Sequence, residues 1–252
     1  MEINGKKVVV IGGASGMGRA SAELLAARGA SVAILDREGS DGKDVATALG
    51  GPFHAVDVTD FAGTEKALQA AVDDLGGLHV SVTTAGGGIA KRTLTKDGPH
   101  DLESFRSVVD LNLIATFNIS RLAAWHMSKN EPEDEERGVI INTASIAAFE
   151  GQIGQVAYTA AKAGIAGMCL TMARDLGSLG IRVLAIAPSL FATGLTKGIP
   201  EEYATALTKD AAFPRRLGRH EEFAKLVAAI VDNPMLNGQC LRLDAGQRFA
   251  PK

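Results

Sequence analysis

The residues that most restrict how this chain can fold stand near its start. Val8, Val9, Val10 and Ile11 run directly into Gly12-Gly13-Ala14-Ser15-Gly16-Met17-Gly18, and a helical pattern opens at Arg19. A β-branched run stopped by glycines and followed by a helix is a strand–turn–helix unit. Glycines let such a turn bend sharply and bring its backbone close to a pyrophosphate, whose charge is favoured by the unpaired N–H groups and dipole of the helix N-terminus. Eighteen residues beyond Gly18, at the end of the next β-branched run, stands Asp36. A carboxylate there accepts hydrogen bonds from both ribose hydroxyls of an adenosine and repels a 2′-phosphate, so NAD is expected rather than NADP. Arg37 pulls the other way, although Ser15 adds no second positive charge.

The same alternation continues along the chain. Strands are predicted at 7–11, 31–35, 52–56, 80–83, 138–142, 182–187 and 238–243, and helices at 19–28, 63–75, 102–129, 156–179 and 221–231. Strands separated by helices predict an α/β chain: a single-domain Rossmann fold over 1–252, with a doubly wound parallel sheet of about seven strands flanked by helices. With 252 residues, 46% of them hydrophobic, there is material for a large core. The 26 Lys and Arg against 29 Asp and Glu leave a net charge of −3, which supplies no general attraction to nucleic acid or to an anionic membrane. The polar start (Glu2, Asn4, Gly5, Lys6, Lys7) gives no sign of a signal or transit segment, and no uninterrupted apolar run suggests a membrane span. A cytoplasmic location is expected, with the mitochondrial matrix left open. Cys169 and Cys240 are too few for a disulfide framework, and five scattered histidines show no metal-ligand spacing, so no metal is expected.

In the helix 156–179, Ile165, Met168, Cys169, Met172, Ala173 and Leu176 form a core-facing stripe. Ala160, Ala161, Ala163, Gly164, Ala166 and Gly167 permit close approach of another helix, from a second subunit or from this chain. The acidic run 131–137 reads as a solvated loop, and 193–214, with Gly194, Gly198 and Pro200, as a mobile substrate segment.

A second constellation follows the fifth strand. Ser145 stands at its end, and Tyr158 and Lys162 follow thirteen and seventeen residues on. Four apart on a helix, Tyr158 and Lys162 share one face. A free phenol has a pKa of about 10, so proton transfer near neutral pH needs it lowered; the Lys162 ammonium and a positive nicotinamide ring are the expected causes. Ser145 would hold the substrate oxygen. Taken singly, Tyr158 would read as a core residue and Lys162 as a surface lysine; the joint spacing is what points to chemistry.

With these motifs the chain resembles the short-chain dehydrogenase/reductase family from Lys6 to about Gly246. Ile11-Gly12, Gly16 and Gly18 answer the family's TGxxxGxG, Ser145 its serine, and Tyr158 and Lys162 its YxxxK. The resemblance implies that Asn112 is a fourth catalytic group, closing a proton relay from Lys162 to solvent. It implies dinucleotide contacts for Gly12, Ser15, Gly16, Met17, Gly18, Asp36, Asp57, Val58, Thr84, Ala85, Gly86, Tyr158, Lys162, Pro188, Phe191 and Thr193, with Asp57 and Val58 meeting adenine. It also implies a homotetramer.

Three positions depart from the family pattern: Ile11 replaces a threonine, Thr83 an asparagine amide, and Ser189 the glycine after Pro188. Segments such as 140–145, 148–152, 216–218 and 236–238 resemble the type-2 3-hydroxyacyl-CoA dehydrogenase branch, as does an insertion after Gly86 carrying Lys91, Arg92, Lys96 and Asp97. That likeness implies 3-hydroxyacyl-CoA and 3-ketoacyl-CoA as the alcohol–ketone pair, with Ser145, Gln155 and Tyr158 against the substrate; apart from the likeness, a basic contact from Lys91 or Arg92 to the CoA phosphates is expected. Thr84 stands where the branch has a cysteine, so its contact is expected through the backbone. A ketoacyl or hydroxysteroid reductase of the same family stays open, as does a non-catalytic scaffold in a larger assembly, against which the intact Ser145, Tyr158 and Lys162 argue.

Overall fold

The computed structural model describes residues 1–192 and 207–251. Seven strands form one parallel sheet: β1 (Lys7–Ile11), β2 (Ser31–Asp36), β3 (Phe53–Ala55), β4 (Val80–Thr83), β7 (Gly138–Thr143), β8 (Ile181–Pro188) and β9 (Cys240–Leu243). Their order is β3-β2-β1-β4-β7-β8-β9. Two short strands, β5 (Leu94–Thr95) and β6 (Gly98–Pro99), pair as an antiparallel hairpin inside the insertion after Gly86. The helices are α1 (Gly16–Ala27), α2 (Gly42–Leu49), α3 (Phe61–Leu75), α4 (Leu102–Val109), α5 (Ala115–Met127), α6 (Val156–Leu176) and α7 (His220–Asp232).

Burial on both faces is why the central strands are unbroken apolar runs. Every residue of β4, β7 and β8 is buried. Alternate side chains divide between two core layers. Val8, Val10, Val32 and Ile34 pack with Leu25, Phe223 and Val227 of α1 and α7, while Val9, Ile11, Ala33 and Leu35 pack with Leu68, Ile119 and Met127 of α3 and α5. The chain departs in opposite directions from β1 and from β4, so a crevice opens at their carboxyl ends, where ligands of such sheets bind. The glycine turn follows β1 at that edge, and Ser145 and Tyr158 follow β7.

Several details differ from the sequence reading. The helix expected over 102–129 is α4 and α5 joined through a π-helical turn, Asp110–Ile114, which carries Asn112. Helix α2 and the β5–β6 hairpin were not anticipated, because α2 is only eight residues long and buries just Gly42, Val45 and Ala46, and the hairpin strands have two residues each. The acidic run 131–137 is not wholly a solvated loop: Glu136 is buried and paired with Arg182 of β8 at 2.7 Å. Arg182 also donates to the Ile230, Val231 and Leu236 carbonyls, tying β8 to the end of α7.

Residues 156–179 include one helix long and apolar enough to cross a membrane by composition, yet its stripe of Ala161, Ile165, Cys169 and Met172 is buried against the sheet, as in the core helix of a globule. The small residues split: Ala161 is buried, Gly164 packs on Leu113 of this chain, and Ala160, Ala163 and Gly167 are exposed. Of the expected substrate segment, 193–206 lies outside the described residues. Thr208 and Ala211 are buried, and the backbone N–H groups of Ala212 and Phe213 donate to the Ala245 carbonyl.

Candidate active site

The first half of the crevice is built by the glycine turn. Ser15 precedes α1 in an extended conformation and its side chain makes no cap, nor does any acidic residue stand in the first turn, so no side chain of this turn occupies the helix's leading N–H groups. Gly12 and Gly16 have φ of +83° and +55°. A Cβ on Gly12 would lie 2.6 Å from the Ala85 nitrogen, and one on Gly18 would lie 2.2 Å from the Gly12 carbonyl oxygen, so the turn closes only with glycine there. Asp36 ends β2. Its carboxylate accepts from the Ala14 and Arg37 nitrogens at 2.9 and 2.7 Å, which fixes it at the rim of a cavity of about 240 Å³.

Ser15, Asp36, Arg37, Asp57, Val58, Thr84, Ala85 and Gly86 line that cavity together with Gly12. The Asp57 carboxylate accepts from the Thr59 nitrogen and hydroxyl, which hold it below the ordinary carboxylate range. The Nε2 of His220, at the start of α7, is buried without a partner and would be 3.8 Å from a Cβ on Gly16. An uncapped helix start, a carboxylate at the rim and an unpartnered polar atom beside the turn fit an adenine dinucleotide with an unphosphorylated ribose.

Two departures from the family pattern find their consequences here. The hydroxyl lost at Ile11 is replaced in function by Thr84, whose Oγ1 donates toward the Ile11 and Gly12 carbonyls at 3.2 and 3.0 Å. Thr83 brings no such compensation: its hydroxyl is buried and without a partner.

The second half of the crevice joins the other candidates. Ser145, Gln155, Tyr158 and Ser189 line a cavity of about 290 Å³. The Ser145 Oγ accepts from the Ala147 nitrogen at 3.1 Å, and the Gln155 Oε1 from the Gln152 nitrogen at 3.0 Å. Lys162 is buried one turn deeper on α6. Its Nζ donates to the Thr143 carbonyl at 2.8 Å and lies 5.5 Å from the Tyr158 ring centroid. Asn112, fully buried, donates through Nδ2 to the Gly87 and Val108 carbonyls at 2.7 and 2.8 Å. The Gly86 to Gly88 segment runs between these groups. A Cβ on Gly86 would come within 2.7 Å of Asn112 Oδ1 and 3.4 Å of Lys162 Nζ, and one on Gly88 within 2.9 Å of Tyr158 Cδ2.

The electrostatics correct one expectation. In the chain by itself burial pushes the Tyr158 phenol up, with a hydrogen bond to Ser145 opposing the shift, and burial brings Lys162 down to about 8. The chain's own groups therefore hold the phenol protonated; the ring charge that would lower it belongs to the cofactor. Phe191 packs edge-on against Phe223 under Gly218, Pro188 ends β8, and Thr193 lies outside the described residues. Gly87, Gly88, Gln152 and Phe249, also on the cavity wall, were not foreseen. The triple glycine after β4 was a readable signal for the first two, whereas Phe249 comes from the far end of the chain.

A doubly wound sheet, a glycine turn at its switch point, and a serine, tyrosine and lysine beside it define a dinucleotide-dependent oxidoreductase. Residues 6–204 match the family model described as short chain dehydrogenase, and the chain belongs to that family. It is 49% identical over 248 residues to the 3-hydroxyacyl-CoA dehydrogenase type-2 of Drosophila melanogaster, covering 96% of this chain and 97% of the relative. Among solved structures it is similar to the 3-hydroxyacyl-CoA dehydrogenase type-2 of Mycobacterium avium, with TM-score 0.94 and 41% identity, covering 100% of this chain and 98% of the other. It is also similar to a 7α-hydroxysteroid dehydrogenase complexed with NADH and 7-oxo glycochenodeoxycholic acid, with TM-score 0.88 and 28% identity, covering 100% and 97%.

Proposed function

We propose that the chain is an NAD-dependent dehydrogenase interconverting 3-hydroxyacyl-CoA and 3-ketoacyl-CoA. The observation that carries the substrate class is that two cavities lie side by side. The one holding Ser145 and Tyr158 shares Gln152 with an open groove of about 800 Å³ that carries Lys91 and Arg92. A small catalytic chamber beside a wide groove that carries Arg92 and Lys91, the latter paired with Asp101, suits a short acyl group attached to a large anionic carrier.

Bound NAD supplies the hydride acceptor. In the oxidative direction Tyr158 takes the hydroxyl proton while Ser145 holds the substrate oxygen, and Gln155 is a second donor to the substrate. Lys162, a cation below pH of about 8 beside the Tyr158 ring, holds the cofactor. Asn112 closes the proton path between Lys162 and solvent. Asp36 selects the unphosphorylated ribose.

The test is Tyr158→Phe. Turnover of acetoacetyl-CoA with NADH should fall about 10²–10⁴-fold, as expected for loss of a general acid, with NADH affinity nearly intact. A variant keeping most of its activity overturns the assignment. The enzyme works as a homotetramer in the cytoplasm: Ile114, Phe117, Val156 and Leu170 leave apolar side chains exposed on α5, α6 and the π turn, and two free cysteines suit a reducing compartment. Light scattering coupled to gel filtration reads the subunit number.

A further inference from the structure

The catalytic cavity has one wall from an unexpected place. Phe249, at the end of the described chain, lines it with Ser145, Gln155 and Tyr158. A terminal segment is ordinarily poorly ordered unless tied down. Here a turn and a ring of charges tie it down. After β9 the backbone reverses at Ala245 and Gly246, with φ of +53° and +73°, and the Gly246 nitrogen donates to Asp244. Arg242 then bridges Asp244 and Glu150 at 2.6 and 2.8 Å, and Arg248 bridges the same two carboxylates at 3.0 and 3.4 Å.

Glu150 belongs to the loop between Ser145 and Tyr158, and its second oxygen accepts from the Phe249 nitrogen at 3.0 Å. Two further bonds continue the seam: the Gln152 amide donates to the Ala250 carbonyl at 3.3 Å, and the Ile153 nitrogen to the Pro251 carbonyl at 3.1 Å. Alternating charges in a closed ring are more rigid than a lone surface pair, whose worth is small. The tail is thus fastened to the loop between Ser145 and Tyr158, and its one aromatic residue lines the cavity.

We propose that residues 247–251 form a fixed specificity wall, in which Phe249 limits the bulk of the ketone or alcohol beside Tyr158 and Glu150 is the positioning residue that fastens it. This rests on the reading of the cavity as the site of alcohol–ketone interconversion. Removing a ring from a pocket wall shifts discrimination because apolar contact to the small substrate is lost while space for a larger one appears.

The kinetic arm uses acetoacetyl-CoA as the small ketone and a 7-oxo bile acid as the bulky one, both with NADH. Phe249→Ala should raise KM for acetoacetyl-CoA about tenfold and move the ratio of kcat/KM toward the bulky ketone by at least as much. Glu150→Gln should move both in the same direction by less. A folded Phe249→Ala with an unchanged ratio overturns the wall. The second arm needs no turnover. In a Trp125→Phe background, Phe249→Trp places the chain's only indole at the wall. Its emission should be blue-shifted and shielded from acrylamide, and should become red-shifted and quenchable when Glu150→Gln is added. Emission that is solvent-like with Glu150 present overturns the fastening. If the parent enzyme reduces neither ketone, the reading of the reaction fails on its own, and the emission arm still decides whether the tail closes the cavity.

Discussion

Lys162 should make the cofactor-free protein less stable than it would be without it. The amine is fully buried, and burial brings its pKa from 10.5 down to about 8. At pH 7 it is charged in both folded and unfolded chains, and the difference between the two values corresponds to about 3 kcal/mol of destabilisation. Above pH 8 the folded chain sheds the proton while the unfolded one keeps it, so stability rises with pH until both are neutral above 10.5. At pH 9.5 about 1 kcal/mol of the penalty remains. Lys162→Met removes the charge at nearly the same length and gives up the hydrogen bond to the Thr143 carbonyl, worth about 1 kcal/mol. The variant should therefore be about 2 kcal/mol more stable at pH 7, a rise in Tm of about 4–8 °C for a chain of this size, and about equal to the parent at pH 9.5. It should also lose catalysis. Thermal unfolding of both cofactor-free proteins at the two pH values reads this directly. A lower Tm for the variant at pH 7, or a difference that does not change with pH, would refute the reasoning.

Three further outcomes follow from individual contacts. Gly88→Ala should displace the Tyr158 ring, since the added Cβ would lie 2.9 Å from Cδ2, and lower kcat about tenfold with NADH affinity retained, read by initial rates and NADH fluorescence. Asp36→Asn should weaken NADH and narrow the preference over NADPH by about tenfold, the scale of one charged hydrogen bond, in paired cofactor titrations. Arg182→Met should cost about 1–3 kcal/mol in denaturant unfolding, because it takes the guanidinium from the buried Glu136 carboxylate, which keeps the Met1 ammonium at 2.8 Å, and leaves the Ile230, Val231 and Leu236 carbonyls without their donor.

The local patterns carried the fold a long way. Glycine after a β-branched run, an acid at the end of the next strand and a tyrosine and lysine four apart are all short-range statements, and helix and strand periods turn such spacings into shared faces. Six of the seven sheet strands were placed to within one residue at each end, and the seventh, β9, starts two residues later than expected because Gly238, at φ +70°, still belongs to the turn. Short elements escaped: α2 and the β5–β6 hairpin are too brief to show a period.

What the sequence by itself determined was the strand–turn–helix logic, the family resemblance and which side chains could do chemistry. Tertiary structure decided where distant parts meet. It set Thr84 over the glycine turn, buried Glu136 against Arg182 within an acidic run, pressed three glycines against Asn112, Lys162 and Tyr158, and brought Phe249 to the wall of the catalytic cavity. It also showed that the Tyr158 phenol is held protonated by its surroundings, because desolvation depends on how much of the rest of the chain encloses a group, and spacing along the chain does not contain that quantity.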